Sequence, residues 1–430
     1  MTPAQRLAAH AGEVRALEAI DEAAIVAELQ ELVAIPSVSG SDAESDIQHV
    51  LAERLLAADL DVDLWALDLP RLQASPDFPG CEVERVEAWG LVASTGDGVP
   101  ALALQAHVDV VPPGSLPAWA TDPFRAEVSG GSVRGRGTCD MKAGLVANLA
   151  AIRAVRAAGI RLERPAALHL VVGEEDGGLG AFATLDRGHH ADACVITEPT
   201  SGTLVTASAG ALTFEITVVG AATHASTAYA GQSALRHFVP LLAAIEELER
   251  RRNRAVDSLM REYPVAYPIS VGKVVAGDWA STVPDLLVAE GRLGVCLDED
   301  PADARAALEE AVLDAASRVA WLRRHPPGIR WTGGQFASGR LVDGAPLLGL
   351  LEEAVGAVDP LRTLEPRGVP YGSDLRLYAH AGIPTLHYGP GDVRVAHSLH
   401  EQVPIDEIVT VARVLTLALI RACGGSTPRR

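Results

Sequence analysis

The sequence predicts a three-layer α/β protein, in which a mostly parallel sheet is covered by helices on both faces and a smaller α+β unit of ferredoxin-like type is inserted. Strand-like and helical patterns alternate over the first 210 residues, and the strand-like runs are almost continuously apolar. Both features are typical of parallel strands that are buried on both faces. Between residues 211 and 335, strand patterns follow one another in hairpin-like order with two helices, which predicts a separate unit.

The elements of the first part follow from these patterns in order. Residues 22–58 are predicted to form two amphipathic helices around a break at IPSVSGS, and Leu60 to Leu64 alternates as a strand. The chain then continues with the strand ALALQAHVDVV, the helix MKAGLVANLAAIRAVRAAG, the strand AALHLVVGEE, a short helix near Gly180 to Asp186 and the strand ADACVITEP.

The character of the sequence changes near Gly210. The later elements are the strand ALTFEITVVGAATHAS, a helix from Ser233 to Arg252, the strands PISVGKVVAG and LLVAEGRLGVCL, a helix from Ala302 to Arg323, the strand GIRWTGG, the pattern GAPLLGLLEEAVGAV and an apolar helix from Ile405 to about Ala422. The tail GGSTPRR is expected to be disordered. These changes predict three segments, 1–210, 211–335 and 336–430, of which the first and the third form one domain.

Composition excludes some classes of function. Of the 430 residues 48% are hydrophobic, and the formal net charge of -20 disfavours nucleic acid, because phosphate binding requires clustered Lys and Arg. No apolar run is long enough to cross a bilayer and the first residues lack the apolar segment of a secretory signal, so no membrane partner and a cytoplasmic location are expected. The five cysteines are never spaced C-x-x-C, which predicts reduced core residues.

Acidic and imidazole side chains occur where the predicted strands end or beside glycine-rich loops. Because the carboxyl ends of parallel strands meet at one edge of a sheet, these side chains are expected to lie close together. A single His-x-Asp at a strand end is equally compatible with a helix cap or a buried pair. The candidates are His107 and Asp109 after LALQA, Asp140 in GRGTCDMKAG, Glu174 and Glu175 after LHLVV, Glu198 in VITEP, and His397 in GPGDVRVAHSLHE.

The adjacent pair Glu174 and Glu175 is the most informative of these features. Two carboxylates at the end of an apolar strand repel each other unless a cation or a shared proton compensates them. Three carboxylates and two imidazoles can hold two zinc-type ions, with one carboxylate bridging both. Neighbouring residues of an extended segment point in opposite directions, so one glutamate can bind metal while the other accepts a proton from water. Asp109 is expected to hold the imidazole tautomer of His107.

In this order the motifs resemble a known family, that of acetylornithine deacetylase, succinyl-diaminopimelate desuccinylase, aminoacylase-1 and the glutamate carboxypeptidases, which are di-zinc metallohydrolases. The resemblance extends from about residue 22 to 422. It implies that the inserted unit is a lid and dimerisation domain and that the rest is the catalytic domain. The motifs that carry it are HVD, GRGTCDMKAG, GEEDGG, TEP, THAS, YGSDLR and GPG…AHSLHE.

The resemblance implies a ligand role for five residues. Asp140 would bridge two zinc ions, for which cobalt or manganese could substitute. His107 and Glu198 would complete the site of one ion, and Glu175 and His397 the site of the other. His397 rather than His400 is expected to be the metal ligand, because the family pattern is a histidine followed four residues later by glutamate, as in HSLHE.

Three further features are implied by the resemblance. Glu174 takes the position of the general base, and the peptide between Asp140 and Met141 is cis. His224 in GAATHAS matches the histidine that polarises the scissile carbonyl. In dimeric members this histidine comes from the other subunit, so a homodimer through residues 211–335 is expected.

The substrate pocket departs from the family pattern. Many members carry an arginine downstream of an Ile-Pro in the lid, where this sequence has Gly294, with Arg292 two residues earlier on the same face of the predicted strand. The lid looks closest to a branch that contains formylaminopyrimidine deformylases. The candidates for binding substrate, including an anionic end, are Arg292, Arg376, Gly372, Ser373 and Gly391.

The expected function is hydrolysis of the amide bond of a small N-acylated substrate, an N-acyl amino acid or N-acyl amine, by a metal-bridging hydroxide, as in deacetylases, deformylases and desuccinylases. One alternative is a metallo-carboxypeptidase or dipeptidase of the same fold, and another is a catalytically silent binding or scaffold relative. A serine hydrolase is disfavoured, because the sequence lacks a G-x-S-x-G elbow. A dinucleotide enzyme is disfavoured, because no G-x-G-x-x-G follows the first strand.

Overall fold

The computed structural model describes residues 3–362 and 364–425. Residues 426–430 of the tail that we expect to be disordered lie outside this described part. The helices are α1 (Pro3–Glu18), α2 (Glu22–Val33), α3 (Asp42–Ala57), α4 (Leu69–Gln73), α5 (Ala143–Ala157), α6 (Leu179–Asp186), α7 (Ala234–Arg252), α8 (Pro301–Ser317), α9 (Ala345–Val358), α10 (Leu375–His380) and α11 (Ile405–Ala422). The strands are β1 (Asp61–Ala66), β2 (Trp89–Ser94), β3 (Leu102–His107), β4 (Glu127–Ser129), β5 (Ser132–Arg134), β6 (Ala166–Val171), β7 (Cys194–Ile196), β8 (Val205–Ser208), β9 (Gly210–Val219), β10 (Ile269–Ala276), β11 (Leu286–Val295), β12 (Gly328–Phe336), β13 (Gly339–Arg340), β14 (Arg367–Val369), β15 (Thr385–His387) and β16 (Gln402–Pro404).

The central sheet confirms the predicted α/β architecture. Its strands lie in the order β1-β2-β6-β3-β7-β15-β8-β13, and β14 pairs with β8. The middle strands β6, β3, β7 and β15 are parallel to one another. Towards both edges the pairing becomes antiparallel. Strands β3 and β6 are buried along their whole length, which explains their continuous apolar runs.

The structure contains several short elements that the sequence prediction lacks, and strand β2 and helix α8 are two elements at which the two differ. Strand β2, between β1 and β6, is absent from the prediction, because a short apolar run is compatible with several structures until its neighbours are known. Helix α8 ends at Ser317 rather than at Arg323. There Trp321 donates a hydrogen bond from Nε1 to the Val219 carbonyl at the end of β9, and this contact holds the chain outside the helix.

The inserted unit has its own sheet and its own core. Its strands form an antiparallel sheet in the order β10-β11-β9-β12, and with α7 and α8 they give the ferredoxin-like succession βαββαβ. Buried side chains of this unit form a hydrophobic cluster separate from that of the central sheet. The boundaries at 210/211 and 335/336 stay a prediction; β9 begins at Gly210 and β12 ends at Phe336.

The cysteines partly depart from the prediction. All five are free thiols, but only Cys139, Cys194 and Cys423 are buried, whereas Cys81 and Cys296 are partly exposed. The prediction of core residues is therefore wrong for these two.

None of the helices in residues 3–362 and 364–425 combines the length and the apolar character that a membrane span needs.

Close packing of α5 on the end of β7 positions two parts of the predicted site. Asp140 lies three residues before the start of α5 at Ala143, and Glu198 lies two residues beyond β7. A Cβ at Gly144, in the first turn of α5, would lie 2.1 Å from the Thr197 carbonyl oxygen. The side chain of Asn148 donates a hydrogen bond of 3.0 Å to the Thr197 hydroxyl. Glycine at position 144 therefore allows the helix and the strand end to approach closely.

Replacing Gly144 by alanine is expected to destabilise the protein by about 1–3 kcal/mol, because the added methyl group displaces the helix from the strand end. The measurement is chemical or thermal unfolding followed by circular dichroism. Gly349→Ala in α9 is the matched control, because no atom lies within 4 Å of the added Cβ. This variant is expected to be stabilised by about 0.5–1 kcal/mol, since alanine favours helix. Equal stability of the Gly144→Ala and wild-type proteins would contradict the packing argument.

Candidate metal centre

Three parallel strands end at the same edge of the central sheet and carry most of the predicted site. His107 is the last residue of β3, Glu174 and Glu175 follow β6, and Glu198 follows β7. Because β6, β3 and β7 are neighbours in the sheet, their carboxyl ends bring these side chains to the same place at the sheet edge. His107, Glu174 and Glu198 are buried.

The carboxylate of Asp140 lies between two imidazoles. Its Oδ1 is 3.1 Å from Nε2 of His107, and its Oδ2 is 3.3 Å from Nε2 of His397. The two carboxylate oxygens of this side chain thus face the nitrogens of two different imidazoles. The peptide between Asp140 and Met141 is cis, as the resemblance implies.

The remaining predicted ligands lie beside these imidazoles. Glu198 Oε1 is 3.9 Å from Nε2 of His107, and Glu175 Oε1 is 3.0 Å from Nε2 of His397. Two groups have ligand atoms that all lie within 4.8 Å of one another: His107, Asp140 and Glu175, and His107, Glu174 and Glu198. The structure therefore brings the five predicted ligands and the predicted base into one cluster.

Asp109 contacts the cluster in a different way from the prediction. Nδ1 of His107 is 2.9 Å from the backbone carbonyl oxygen of Asp109 and 3.6 Å from its carboxylate Oδ1. A proton on Nδ1 is thus held mainly by the carbonyl, which leaves Nε2 free to bind metal. The carboxylate instead accepts hydrogen bonds from the backbone N–H groups of Glu174 at 3.2 Å and Glu175 at 3.3 Å, and from the Ser39 hydroxyl.

The pKa shifts in the cluster come from burial and from the neighbouring charged groups. Burial, with a contribution from the charge of Glu198, raises the pKa of Glu174 well above its usual range, and burial does the same to the pKa of Glu198. Burial lowers the pKa of His397, but hydrogen bonds with Asp140 and Glu175 outweigh this effect and raise that pKa to about 11. Burial thus favours the protonated carboxyls of Glu174 and Glu198, and the neighbouring carboxylates favour the protonated imidazole of His397. A divalent cation would supply the missing positive charge.

The donor set fits divalent metal ions of the zinc type. Imidazole nitrogens and carboxylate oxygens are ligands that zinc, cobalt and manganese accept. The excess of buried carboxylates and the two-sided environment of Asp140 agree with two such ions side by side.

Two residues that the sequence analysis did not assign hold the ligand loops. Glu401 accepts hydrogen bonds from the backbone N–H groups of Cys139 and Asp140. Arg136 forms a buried ion pair with Glu401 and donates to the His397 carbonyl oxygen. In the sequence, Glu401 serves only to identify His397, which lies four residues before it. Arg136 lies inside the motif GRGTCDMKAG, but the motif gives it no role. The contact between them, 265 residues apart in sequence, could not be read from either motif.

His224 lies on the inserted unit and is exposed. Its Nδ1 accepts a hydrogen bond of 3.2 Å from the backbone N–H of Ser226 and lies 2.7 Å from the Ser226 hydroxyl. In the neutral imidazole this arrangement puts the proton on Nε2, where it can be donated to another molecule. His224 also forms an isolated bridge with Thr282.

The two candidate substrate arginines lie near the same aromatic ring. The guanidinium of Arg292 on β11 is 5.6 Å from the centroid of the Phe336 ring, and that of Arg376 is 4.1 Å from it. Arg376 is buried and donates to the carbonyl oxygens of Ser373 and Gly177. These contacts favour a role in holding the two backbone segments together over a role in binding substrate. Arg292 is exposed.

The other candidate substrate residues occupy close-packed positions. Ser373 is buried, and its hydroxyl lies 3.0 Å from Nε2 of His387. A Cβ at Gly372 would lie 2.5 Å from Cβ of Phe336, and one at Gly391 would lie 2.7 Å from Sγ of Cys139. These contacts give the two glycines and Ser373 a packing role near the site.

The sequence is similar to known proteins over most of its length. A sequence model of peptidase family M20/M25/M40 matches residues 103–421. The chain is similar to the N-formyl-4-amino-5-aminomethyl-2-methylpyrimidine deformylase of Halalkalibacterium halodurans, with 27% identity over 424 residues, which cover 93% of this chain and 94% of the relative. It is also similar to the succinyl-diaminopimelate desuccinylase of Leptothrix cholodnii, with 28% identity over 388 residues, 87% of this chain and 92% of the relative.

Among solved structures, the fold is similar to that of human carnosine dipeptidase 1. The TM-score is 0.75 at 14% sequence identity, and the match covers 96% of this chain and 99% of that chain. At this identity the likeness concerns the fold alone.

Zinc added to metal-free protein is expected to raise the melting temperature, because an ion that binds only the folded state stabilises it. At a free concentration 100-fold above the dissociation constant, the gain is about 2.7 kcal/mol. Asp140→Asn should lose most of this gain, because it removes the carboxylate between the two histidines. Calorimetry at matched zinc concentrations measures the effect, and Asp63→Asn on β1 serves as the control that retains it. A full zinc response in Asp140→Asn would argue against a shared ligand.

Proposed function

The chain belongs to peptidase family M20/M25/M40 and is an amidohydrolase, and we propose that it hydrolyses the amide bond of a small N-acylated compound with two zinc ions. The observation that carries this proposal is the position of Asp140 between His107 and His397, each with a further carboxylate beside it. The family implies a divalent metal, and the nitrogen and oxygen donors support zinc, with cobalt or manganese as substitutes.

We assign the ligands to two sites that share one carboxylate. Asp140, His107 and Glu198 would hold one ion, and Asp140, Glu175 and His397 would hold the other. Bound ions of this type polarise a carbonyl oxygen and lower the pKa of water. The backbone carbonyl of Asp109 fixes the orientation of the His107 ring, and its carboxylate fixes the backbone of both glutamates.

Glu174 is proposed as the general base. Its carboxylate lies within 4.8 Å of the ligand atoms of His107 and Glu198, at the position where it can take a proton from the attacking water. It then returns this proton to the nitrogen of the leaving amine, so that the carboxylate is regenerated. Its burial limits contact of the carboxylate with bulk water.

The substrate class is proposed from the relatives and from the lid. The similar proteins are a deformylase and a desuccinylase, both of which remove an acyl group from an amine. Arg292 is the group that we propose to contact an anionic end of the substrate. It is exposed on β11, and its guanidinium lies near Phe336 at the junction with the catalytic unit.

A panel of N-formyl, N-acetyl and N-succinyl amines, each with and without an α-carboxylate, tests the proposed reaction together with a set of dipeptides. The zinc- or cobalt-loaded protein is expected to release amine from at least one N-acyl class faster than from any dipeptide. If dipeptides are cleaved faster, the protein is a peptidase of this family. If metal binds and nothing is hydrolysed, the catalytic proposal fails in favour of a silent binding relative.

The variant Glu174→Gln, measured in the same assay, tests the role of Glu174 as general base. It is expected to lower kcat by about 10²–10⁴-fold, because it removes proton transfer, and to retain the bound metal. Glu175→Gln, one residue along, is expected to lose metal instead. Loss of metal from Glu174→Gln would overturn the assignment of Glu174 as base.

We propose that His224 acts on the site of a second copy of this chain, in a homodimer formed through the inserted unit. The imidazole is exposed on this unit and offers its Nε2 proton. Strand β10 is an edge of its sheet and carries the exposed side chains of Val274 and Val275, and α7 exposes Leu235 and Val239. An exposed sheet edge with apolar side chains favours pairing with another chain.

Hybrid dimers of differently tagged subunits test this arrangement. A hybrid of His224→Ala and Glu174→Gln subunits is expected to retain about half of the wild-type activity, because one of its two sites combines an intact Glu174 with the partner's intact His224. The control is a wild-type subunit paired with a subunit that carries both substitutions. That dimer is expected to be inactive, since neither site is complete. The opposite pattern, an inactive first hybrid and a half-active control, would mean that His224 acts within its own subunit.

The cytoplasm stays the proposed location. The free state of all five cysteines supports a reducing compartment. The net charge of -20 supports a small-molecule substrate rather than nucleic acid as the partner.

A further inference from the structure

The backbone of residues 173–178, here called the glutamate loop, carries both Glu174 and Glu175. It begins directly after the strand end of β6 and turns through glycines with positive φ at Gly173, Gly177 and Gly178. Such a glycine-rich loop has many accessible conformations, so its own sequence does not fix where the two carboxylates point. Contacts from outside the loop must do so.

Arg85 is one of these contacts, and it comes from a stretch between α4 and β2 without regular structure. Its side chain is only 3% exposed. Nε and Nη2 donate to the two carboxylate oxygens of Glu44, at 2.8 and 2.9 Å, and Nη1 donates to Oδ2 of Asp176 at 2.7 Å. The guanidinium therefore connects α3 with the glutamate loop.

Both acidic partners of Arg85 also hold backbone groups. Glu44 accepts a hydrogen bond of 2.9 Å from the N–H of Gly173, the first residue of the loop. Asp176 belongs to the loop itself and accepts a hydrogen bond from the N–H of Val83. If Arg85 is removed, Glu44 and Asp176 lose the cation that lies between them. The contact of Glu44 with Gly173 and the anchoring of Asp176 are then both weakened.

Steric contact adds to these hydrogen bonds. A Cβ at Gly173 would lie 3.0 Å from Nη2 of Arg85 and 3.0 Å from Oδ1 of Asp176. The guanidinium thus packs directly against the backbone at the start of the loop. Arginine suits this position better than lysine, because its planar fork pairs with Glu44 through two donors and reaches Asp176 with a third.

Electrostatics also favours a cation at this point. Glu44 and Asp176 are buried, and so are the neighbouring carboxylates of Asp109 and Glu174. Buried carboxylates without a positive partner repel one another and move towards solvent. Arg85 supplies a positive partner to two of these carboxylates, those of Glu44 and Asp176, to which it donates hydrogen bonds.

We propose that Arg85 is a positioning residue for the hydrolytic reaction, which holds Glu174 and Glu175 in place through Glu44 and Asp176 without touching the substrate. This inference rests on the proposed function of the glutamate pair. It assigns a catalytic consequence to a residue that lies outside every motif of the site.

Arg85→Gln is expected to lower kcat about 10–100-fold, the usual effect of removing a group that orients a metal ligand or base. KM should stay within about threefold, because Arg85 has no part in substrate binding. Arg85→Lys keeps the charge but not the paired geometry, and is expected to restore part of the lost kcat. The measurements use the full-length, zinc-loaded protein and the best substrate of the panel.

Hydrogen–deuterium exchange gives a readout that does not depend on activity. In metal-free and in zinc-loaded protein, Arg85→Gln is expected to speed exchange in peptides that cover residues 172–179 by about tenfold, because the loop opens more often. Exchange in the inserted unit should not change. If Arg85→Gln does not fold, the same exchange measurement is made on Arg85→Lys. Exchange in residues 172–179 is then expected to speed up by a smaller factor.

Arg252→Gln is the matched control. Arg252 is 8% exposed and pairs with Glu299 through two donors, but it lies in the inserted unit. It is expected to leave kcat within about twofold of wild type. The proposal is overturned if this control loses as much kcat as the Arg85 variants, if those variants keep wild-type kcat, or if loop exchange is unchanged. Should the wild type hydrolyse nothing, the proposed function fails, and the exchange data alone still decide whether Arg85 holds the loop.

Discussion

Negative charge buried at the carboxyl edge of the central sheet is the constraint on which the rest of the site depends. Asp109, Glu174 and Glu198 are buried beside Asp140, and moving a carboxylate from water to the interior costs several kcal/mol unless it is compensated. The protein compensates Asp140 with two imidazoles and Asp109 with backbone N–H groups. The remaining charge makes the cluster a binding site for cations.

The same constraint explains why the loops around the cluster are held by acidic side chains. Glu401 accepts the N–H groups of Cys139 and Asp140, and Asp109 accepts those of Glu174 and Glu175. A carboxylate that accepts two backbone N–H groups fixes two peptide planes at once, and with them the directions of the following side chains. The ligands are therefore oriented by the protein, which lowers the entropic cost of binding metal and substrate.

In the inserted unit, packing determines which position of β11 can carry a long side chain. At position 294 a Cβ would lie 2.9 Å from the Pro268 carbonyl oxygen, so a long side chain has no space there. Arg292 lies two residues earlier in the register of β11 with β9, on the same face of the sheet and close to Phe336. A cationic side chain at this junction is thereby retained, although its position in the sequence is shifted.

The sequence by itself indicated the fold class, the inserted unit and the candidate residues at the strand ends, because strand periodicity and strand-end residues are local properties of the chain. Tertiary structure alone decided which atoms meet. It placed the backbone carbonyl oxygen of Asp109 beside Nδ1 of His107, and it paired Arg136 with Glu401 across 265 residues. It also placed Arg85 between Glu44 and Asp176, 41 and 91 residues away. Contacts between groups so far apart depend on how loops pack over the sheet edge, and no local pattern in a single sequence encodes that packing.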